Sequence, residues 1–309
     1  MSKENTAVTK KKIKRCKEDV VFDAACFIIL TLVLFVVAYP LYWVIISSIS
    51  APSAVSSGKV LLHPIGFTLK GYAEVFKNDQ VMRGFLNSLI ITFCGVMVNL
   101  IVTLPTSYAL SRSNFSGKKP ITIFYLITMF FGGGLIPTYL VIQRLQMLNT
   151  IWALILPGCL SVYNMIVART FFKSNISEEL YEAAEIDGCT QARFFFQIAL
   201  PLSKAIIAIL VLYYGVGHWN SYFSALVYIS DKAKYPLQLV LRNILITNQT
   251  ALSQTATTAA ARAALQEKQQ LIDVMKYSLI IISSIPVLVM YPLVQKYFVK
   301  GVMIGSMKG

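Results

Sequence analysis

The sequence predicts an all-α integral membrane protein: six transmembrane helices, with a polar hairpin on the inner face between spans 4 and 5. Three observations predict it. The 309 residues are 56% hydrophobic and 14% charged, with mean hydropathy +0.64, whereas soluble domains carry about 25% charged residues. The apolar runs reach the roughly 20 residues that a helix needs to cross a bilayer. Residues 177–201 break this pattern. They hold Glu178, Glu179, Glu182, Glu185 and Asp187, five of the chain's 14 acidic residues.

Residues 1–19 form a basic tail, with Lys10, Lys11, Lys12, Lys14, Arg15 and Lys17. Such a tail is held in the cytoplasm by the positive-inside rule. The apolar run after it exceeds the roughly 7–15 residues of a signal-peptide core, and no small-residue cleavage site follows, so no cleavage is expected. Residues 20–298 make the transmembrane domain. Span 1 covers 21–48. Residues 51–82, with Pro52, Gly58, Pro64, Gly66 and Gly71, read as an external segment. Span 2 covers 84–110, and Arg112, Lys118 and Lys119 follow in a short inner loop. Span 3 covers 121–142. Gly132, Gly133, Gly134 and Pro137 predict a bend or break in it.

The link around 144–150 is poor in charge and reads as external. Span 4 covers 151–172, and Arg169 and Lys173 mark the return to the inner face. After the hairpin, span 5 covers 202–229. A long external segment, 230–274, carries Lys232, Lys234, Arg242, Arg262 and Lys268; long loops cross largely regardless of charge. Span 6 covers 275–298, with kinks expected at Pro286 and Pro292. Residues 299–309 are an inner tail, so both termini are cytoplasmic.

The hairpin reads as two short helices. Ser177 is placed to cap the first, and Glu178 and Glu179 sit at the positive end of its dipole. Glu178, Glu182 and Glu185 share one face by helical spacing, with Ile176, Leu180, Ala183 and Ala184 on the other. Gly188 ends this helix as a residue free to take positive φ. Thr190 caps the second, which carries Phe194, Phe195, Phe196 and Ile198, and Pro201 stands where a new helix begins. The result is a compact knob that a soluble partner can grip.

Several chemistries are absent. No Gly-x-x-x-x-Gly-Lys-Ser/Thr string exists, so the chain binds no nucleotide through a P-loop. The five cysteines avoid both long external segments and have no metal-site spacing. The two histidines, His63 and His218, have no neighbouring carboxylate, and no catalytic arrangement emerges. The net charge of +14 lies outside the spans, which argues against nucleic acid. The spans hold almost no ionisable residue, which disfavours ion-coupled transport and favours an outside energy source.

Uncharged polar residues do lie within the spans. Asn87, Ser88 and Asn99 in span 2 read as interhelical hydrogen-bonding groups. Tyr163 and Asn164 in span 4, and Tyr213, Tyr214, His218, Trp219, Asn220 and Tyr222 in span 5, have two readings. They are interfacial aromatics with structural hydrogen bonds, or they line a path for a neutral sugar, whose C–H faces and hydroxyl rims suit aromatic rings and amides.

The string Glu182-Ala183-Ala184, three residues, Gly188, nine residues, Ile198, one residue, Leu200-Pro201 resembles the cytoplasmic coupling motif of ABC importer permeases. Further stretches are similar to the maltose-permease-like carbohydrate uptake family: residues 134–139, 148–150 and 152–157, and Trp219-Asn220. Residues 300–309 resemble its branch for complex oligosaccharides and polysaccharide fragments. The resemblance covers about residues 20–309 and is weakest at 251–264.

The resemblance implies a type I ABC importer permease fold and a non-enzymatic subunit of a binding-protein-dependent importer. It would move a sugar by alternating access, in a bacterial cytoplasmic (inner) membrane. The implied partners are a second permease of different sequence, two copies of a cytoplasmic ATPase, an extracellular or periplasmic sugar-binding protein, and membrane lipid. No cofactor is bound by this chain; ATP and Mg are used by the ATPase. Glu182, Ala183, Ala184 and Gly188 would seat in the ATPase cleft. Asp187 and the Phe194–Phe196 helix would stiffen the lever, and Ile198, Leu200 and Pro201 would join it to span 5. The tail, through Gly305, Lys308 and Gly309, would also reach the ATPase, and 230–274 would meet the binding protein. The residues themselves leave open an importer for another solute class, or a sugar-sensing receptor or scaffold.

Overall fold

Residues 17–251 and 259–306 are described by the computed structural model. Among them all regular structure is helical. Helix α1, Lys17–Ser48, begins inside the stretch expected to be tail and exposes apolar side chains from Val20 to Ile45. Short helices α2, Pro52–Ser56, and α3, Lys70–Lys77, precede α4, Asp79–Ser111. Then come α5, Lys118–Phe130, α6, Leu135–Arg144, α7, Trp152–Ile155, and α8, Val162–Asn175. The hairpin contains α9, Glu178–Ile186, α10, Gln191–Phe194, a π-helical stretch Phe195–Ala199, and α11, Leu200–Leu202. Four helices follow: α12, Lys204–Trp219, α13, Tyr222–Tyr228, α14, Leu237–Ala251, and α15, Ala259–Ser306.

Three segments are long and apolar enough to cross a membrane as single helices: Lys17–Ser48, Asp79–Ser111 and Gln269–Pro292. Three bent pairs qualify when each is taken together, which allows up to six spans. The pairs turn by 113° between α5 and α6, by 52° before α8, and by 80° before α12. The first break falls on the glycine run, where Gly134 takes φ +83°. Only a residue without Cβ adopts that conformation freely.

The structure revises three boundaries. Span 5, expected as one helix over 202–229, divides after Trp219. Asn220 Nδ2 donates to the Val216 carbonyl (3.0 Å) and Ser221 Oγ to that of His218 (2.7 Å). The His218 carbonyl, which a continuing helix would offer to Tyr222 N–H, is taken by Ser221, and Tyr222 N–H turns to the Asn220 carbonyl (2.8 Å). The segment 230–274 is largely helical, through α14 and the opening of α15. Its final stretch, rich in Ala, Gln, Leu, Lys and Glu, has high helix propensity and no Gly or Pro. Residues 275 and 298 are not helix ends: α15 runs from Ala259 through Pro286 and Pro292 to Ser306.

Helix α4 organises the interior. Gly84, Ser88, Ile91, Gly95, Asn99, Thr103 and Ser107 are all buried and recur every three or four residues. Small and polar residues at this spacing let other helices approach closely and bond across the contact. Ser88 Oγ accepts from Leu237 N–H (2.8 Å), at the start of α14. Thr103 Oγ1 lies 2.7 Å from Tyr214 Oη on α12. Ser107 Oγ donates to the Met165 carbonyl on α8 (3.1 Å). One stripe thus bonds to three different helices. Asn87, beside it, donates to the carbonyls of Ala233 (2.8 Å) and Tyr235 (3.1 Å). These bonds are the structural reading given to the polar residues of span 2.

Candidate functional site

The hairpin sits where the C-terminal end of α4 meets the end of α8 and the start of α12. Ser177 Oγ accepts from Leu180 N–H (3.4 Å) and caps α9, with Glu178 and Glu179 in its first turn. At the other end, Gly188 takes φ +76°. Gly188 N–H donates to the Glu185 carbonyl (3.0 Å) and Cys189 N–H to that of Ala184 (2.9 Å). This is a complete Schellman termination. A Cβ at Gly188 would meet nothing within 4 Å, so the glycine is required by backbone conformation and not by space. Thr190 Oγ1 accepts from Arg193 N–H (3.3 Å) and opens the second arm.

That arm continues through the π-helical stretch and α11 to Ser203, where the chain turns 80° into α12. Pro201 therefore lies inside the arm, and the new helix starts at Lys204. The widened π turn accommodates a proline that cannot donate to a carbonyl one turn back.

Aromatic side chains fix the hairpin to the bundle. Tyr181 of α9 meets Phe194 edge-on, with centroids 5.2 Å apart. Tyr108 of α4 lies 5.0 Å from Phe195 and 5.6 Å from Phe172 of α8. Ile198 and Leu200 pack against the same cluster, half-buried, while Phe196 points outward. Arg112, just past α4, places its guanidinium 3.9 Å from the centre of the Tyr181 ring and 2.7 Å from Glu178 Oε2. Glu178 Oε1 accepts from Ser113 N–H (3.1 Å). Arg169 Nε donates to the Leu110 carbonyl (3.0 Å), so a cation covers the open end of α4.

The faces of α9 differ from the expected ones. Tyr181 and Ala184 are buried, and Glu178 turns inward to Arg112. Of the small-residue face, Ala184 is packed inward, while Leu180 and Ala183 are exposed beside Glu179, Glu182, Glu185 and Asp187. The bulk of Tyr181 decides this, because burying its ring fixes the rotation of the helix. Ile186 projects from the tip with 86% of its surface exposed. The hairpin thus offers an apolar point ringed by carboxylates. The contact of Arg112 with Tyr181 and Glu178 is not among the sequence expectations. The available signal was spacing: Glu178, Tyr181 and Ala184 recur every three residues on one face.

The residues considered for a sugar path divide into two sets. Asn164, Tyr214 and Trp219 are buried. Tyr214 Oη bonds to Thr103 and accepts from Ser161 N–H (3.2 Å). Trp219, 2% exposed, donates from Nε1 to the Ser283 carbonyl (2.9 Å) and meets Phe85 edge-on. Tyr163, Tyr213, Asn220 and Tyr222 are exposed. Gly305 lies in the last turn of α15; Lys308 and Gly309 fall outside the described residues.

No protein-family profile matches the chain. The chain is 35% identical over 288 residues to the polygalacturonan/rhamnogalacturonan transport system permease protein YtcP of Bacillus subtilis, covering 93% of this chain and 98% of that one. It is 38% identical over 289 residues to Protein LplC of Bacillus subtilis, covering 94% and 95%. It is 29% identical over 293 residues to the galactooligosaccharides transport system permease protein GanQ of Bacillus subtilis, covering 92% and 94%. Among solved structures, it superposes on a chain of a bacterial ABC transporter involved in the import of the acidic polysaccharide alginate. The TM-score is 0.82 at 28% identity, covering 92% of this chain and 99% of that one.

Proposed function

This chain belongs to the permease subunits of oligosaccharide and polysaccharide ABC importers, and from that premise we propose how it works and what it assembles with. It pairs with a second permease of different sequence in a bacterial cytoplasmic membrane. Its six spans are Lys17–Ser48, Asp79–Ser111, the three bent pairs and the Gln269–Pro292 part of α15, with both termini inside. Two copies of a separate ATPase bind on the cytoplasmic side, and a sugar-binding protein delivers cargo from the outside. ATP and Mg stay on the ATPase, since this chain has no phosphate-binding loop. The cargo is an oligosaccharide or a fragment of a polysaccharide.

The observation that carries this reading is the hairpin tip. Ile186 stands clear of the chain, ringed by Glu179, Glu182, Glu185 and Asp187, on a frame rigidly capped at both ends. It would enter an apolar cleft with a basic rim on the ATPase. Glu182, Ala183 and Gly188 form the gripped surface, while Ala184, Ile198, Leu200 and Pro201 tie it to the bundle. Closure of the ATPase pair would then rock the bundle between two packings. Tyr163, Tyr213, Asn220 and Tyr222 would face the sugar, supported from behind by Asn164, Tyr214 and Trp219. The C-terminal tail, through Gly305, Lys308 and Gly309, would reach the ATPase pair, and residues 230–274 would meet the binding protein.

The test is gentle purification of the membrane complex followed by reconstitution. Recovery of an ATPase, a second permease and ATP-dependent sugar uptake is expected. A complex without any nucleotide-hydrolysing partner overturns the reading.

A further inference from the structure

The hairpin has two covalent attachments, to α8 and to α12, and non-covalent ones to α4. The contacts at Arg112 stand out among these. Its guanidinium touches the Glu178 carboxylate (2.7 Å) and lies over the Tyr181 ring (3.9 Å). The other oxygen of that carboxylate holds the next backbone amide, Ser113 N–H (3.1 Å). Lys118 Nζ donates to the carbonyls of Arg112 (3.1 Å) and Ser113 (2.9 Å), which ties the same turn to the first turn of α5. Arg112 keeps only 13% of its side chain exposed, although it lies in a connecting loop.

We propose that Arg112 is a positioning residue for transport, which locks the first turn of the coupling hairpin to the end of span 2 so that the two move as one body. The inference rests on the coupling role given to the hairpin above.

An isolated surface ion pair contributes little to stability. Here the arrangement does something else. A push on Ile186 turns α9 about its junction with α8, and that rotation would pull Glu178 and Tyr181 off Arg112. With the lock in place, the push is delivered to α4. Helix α4 in turn bonds to α14, α12 and α8 through Ser88, Thr103 and Ser107. Without the lock, the hairpin can follow the ATPase while the bundle lags. Arginine suits this place because its planar group can fork onto a carboxylate and stack on a ring together, which lysine cannot do.

The experiment reconstitutes the complete importer with its binding protein in proteoliposomes and measures sugar imported per ATP hydrolysed. Arg112→Ala is expected to lower this ratio roughly five- to tenfold, the lower part of the usual range for coupling between sites. Arg112→Lys should fall between the two. The exchange Arg112→Glu with Glu178→Arg should recover part of what either single change loses, a pattern that a packing defect does not produce. An Arg112→Ala ratio equal to that of the unaltered protein overturns the proposal, as does an exchange no better than the single changes. If Arg112→Ala does not assemble, the ratio is read in Glu178→Gln, which keeps the volume and an acceptor for Ser113 N–H; an unchanged ratio there also overturns it. The unaltered importer separates the two readings. If it shows no ATP-driven uptake, the transport reading fails; if it couples and the variants match it, only the role of Arg112 fails.

Discussion

Asn99 Oδ1 lies 2.7 Å from Nε2 of His218, joining the middle of α4 to α12. The same amide donates from Nδ2 to the carbonyls of Gly158 (2.8 Å) and Cys159 (2.9 Å). Those carbonyls are free because the chain breaks there before α8. In a membrane, backbone groups freed by a broken helix must find partners inside the protein. Asn99 supplies them, and so makes the break tolerable.

Asn99→Leu is therefore expected to destabilise the protein by about 1–3 kcal/mol, because it orphans two carbonyls and the histidine. His218→Leu should cost less, since Asn99 keeps both of its donated bonds. Thermal unfolding in detergent, followed by size-exclusion chromatography, compares them. Equal losses would remove the special role of Asn99.

Gly95 tests the packing at the same crossing. A Cβ there would come within 2.5 Å of His218 Nε2. Gly95→Ala should destabilise by about 1–3 kcal/mol, as overpacking does. Adding His218→Ala should recover part of that loss, because neighbouring sites do not add. A double variant no more stable than Gly95→Ala alone would show that the histidine is not the obstacle.

At Gly188 the demand is conformational. Any Cβ-bearing residue at φ +76° is strained by about 1–2 kcal/mol, and Asn less so. Gly188→Val should leave membrane insertion intact while ATP hydrolysis separates from uptake. Gly188→Asn should stay close to the original protein. Uptake by Gly188→Val at the original rate would count against the coupling role of the hairpin.

Ile186 contributes almost nothing to the fold, given its exposure. Ile186→Asp should thus leave thermal stability within about 0.5 kcal/mol, the usual range for surface changes. It should nevertheless reduce the amount of ATPase retained when the complex is purified. Retention unchanged by the aspartate would place the contact elsewhere.

The residues considered for a sugar path on α12 and just after it should separate by burial. Trp219→Phe loses the bond to the Ser283 carbonyl and should lower stability by about 1–3 kcal/mol. Tyr213→Ala and Asn220→Ala should instead lower sugar uptake with little loss of stability. Normal uptake in both would leave these two residues with a structural role only.

Much of this protein can be read from one dimension. Hydropathy marked the long apolar helices, the glycine run marked the break between α5 and α6, and Ser177, Gly188 and Thr190 gave the ends of the hairpin helices. Those features depend on neighbours along the chain, so local chemistry suffices for them. The spacing of Glu182, Ala183, Ala184 and Gly188 also carried the family resemblance, which the relatives share over nearly the full chain.

Other features were decided only when distant segments met. For Trp219 and Tyr214 the sequence leaves a structural and a sugar-facing reading open, and only the fold brings Ser283 and Thr103 from other helices to bond them. Arg112 reads in the sequence as one charge of an inner loop, and only the fold brings Glu178 and Tyr181 against it. The stripe along α4 could be seen as small residues, but not which helix each would bond. By itself the sequence determined where the long apolar helices lie and where the hairpin helices begin and end, because capping, backbone freedom and hydropathy act within a few residues. Tertiary structure decided which side chains are anchors and which remain free to act, because a polar group in a membrane takes whatever partner the packing of remote helices brings within reach.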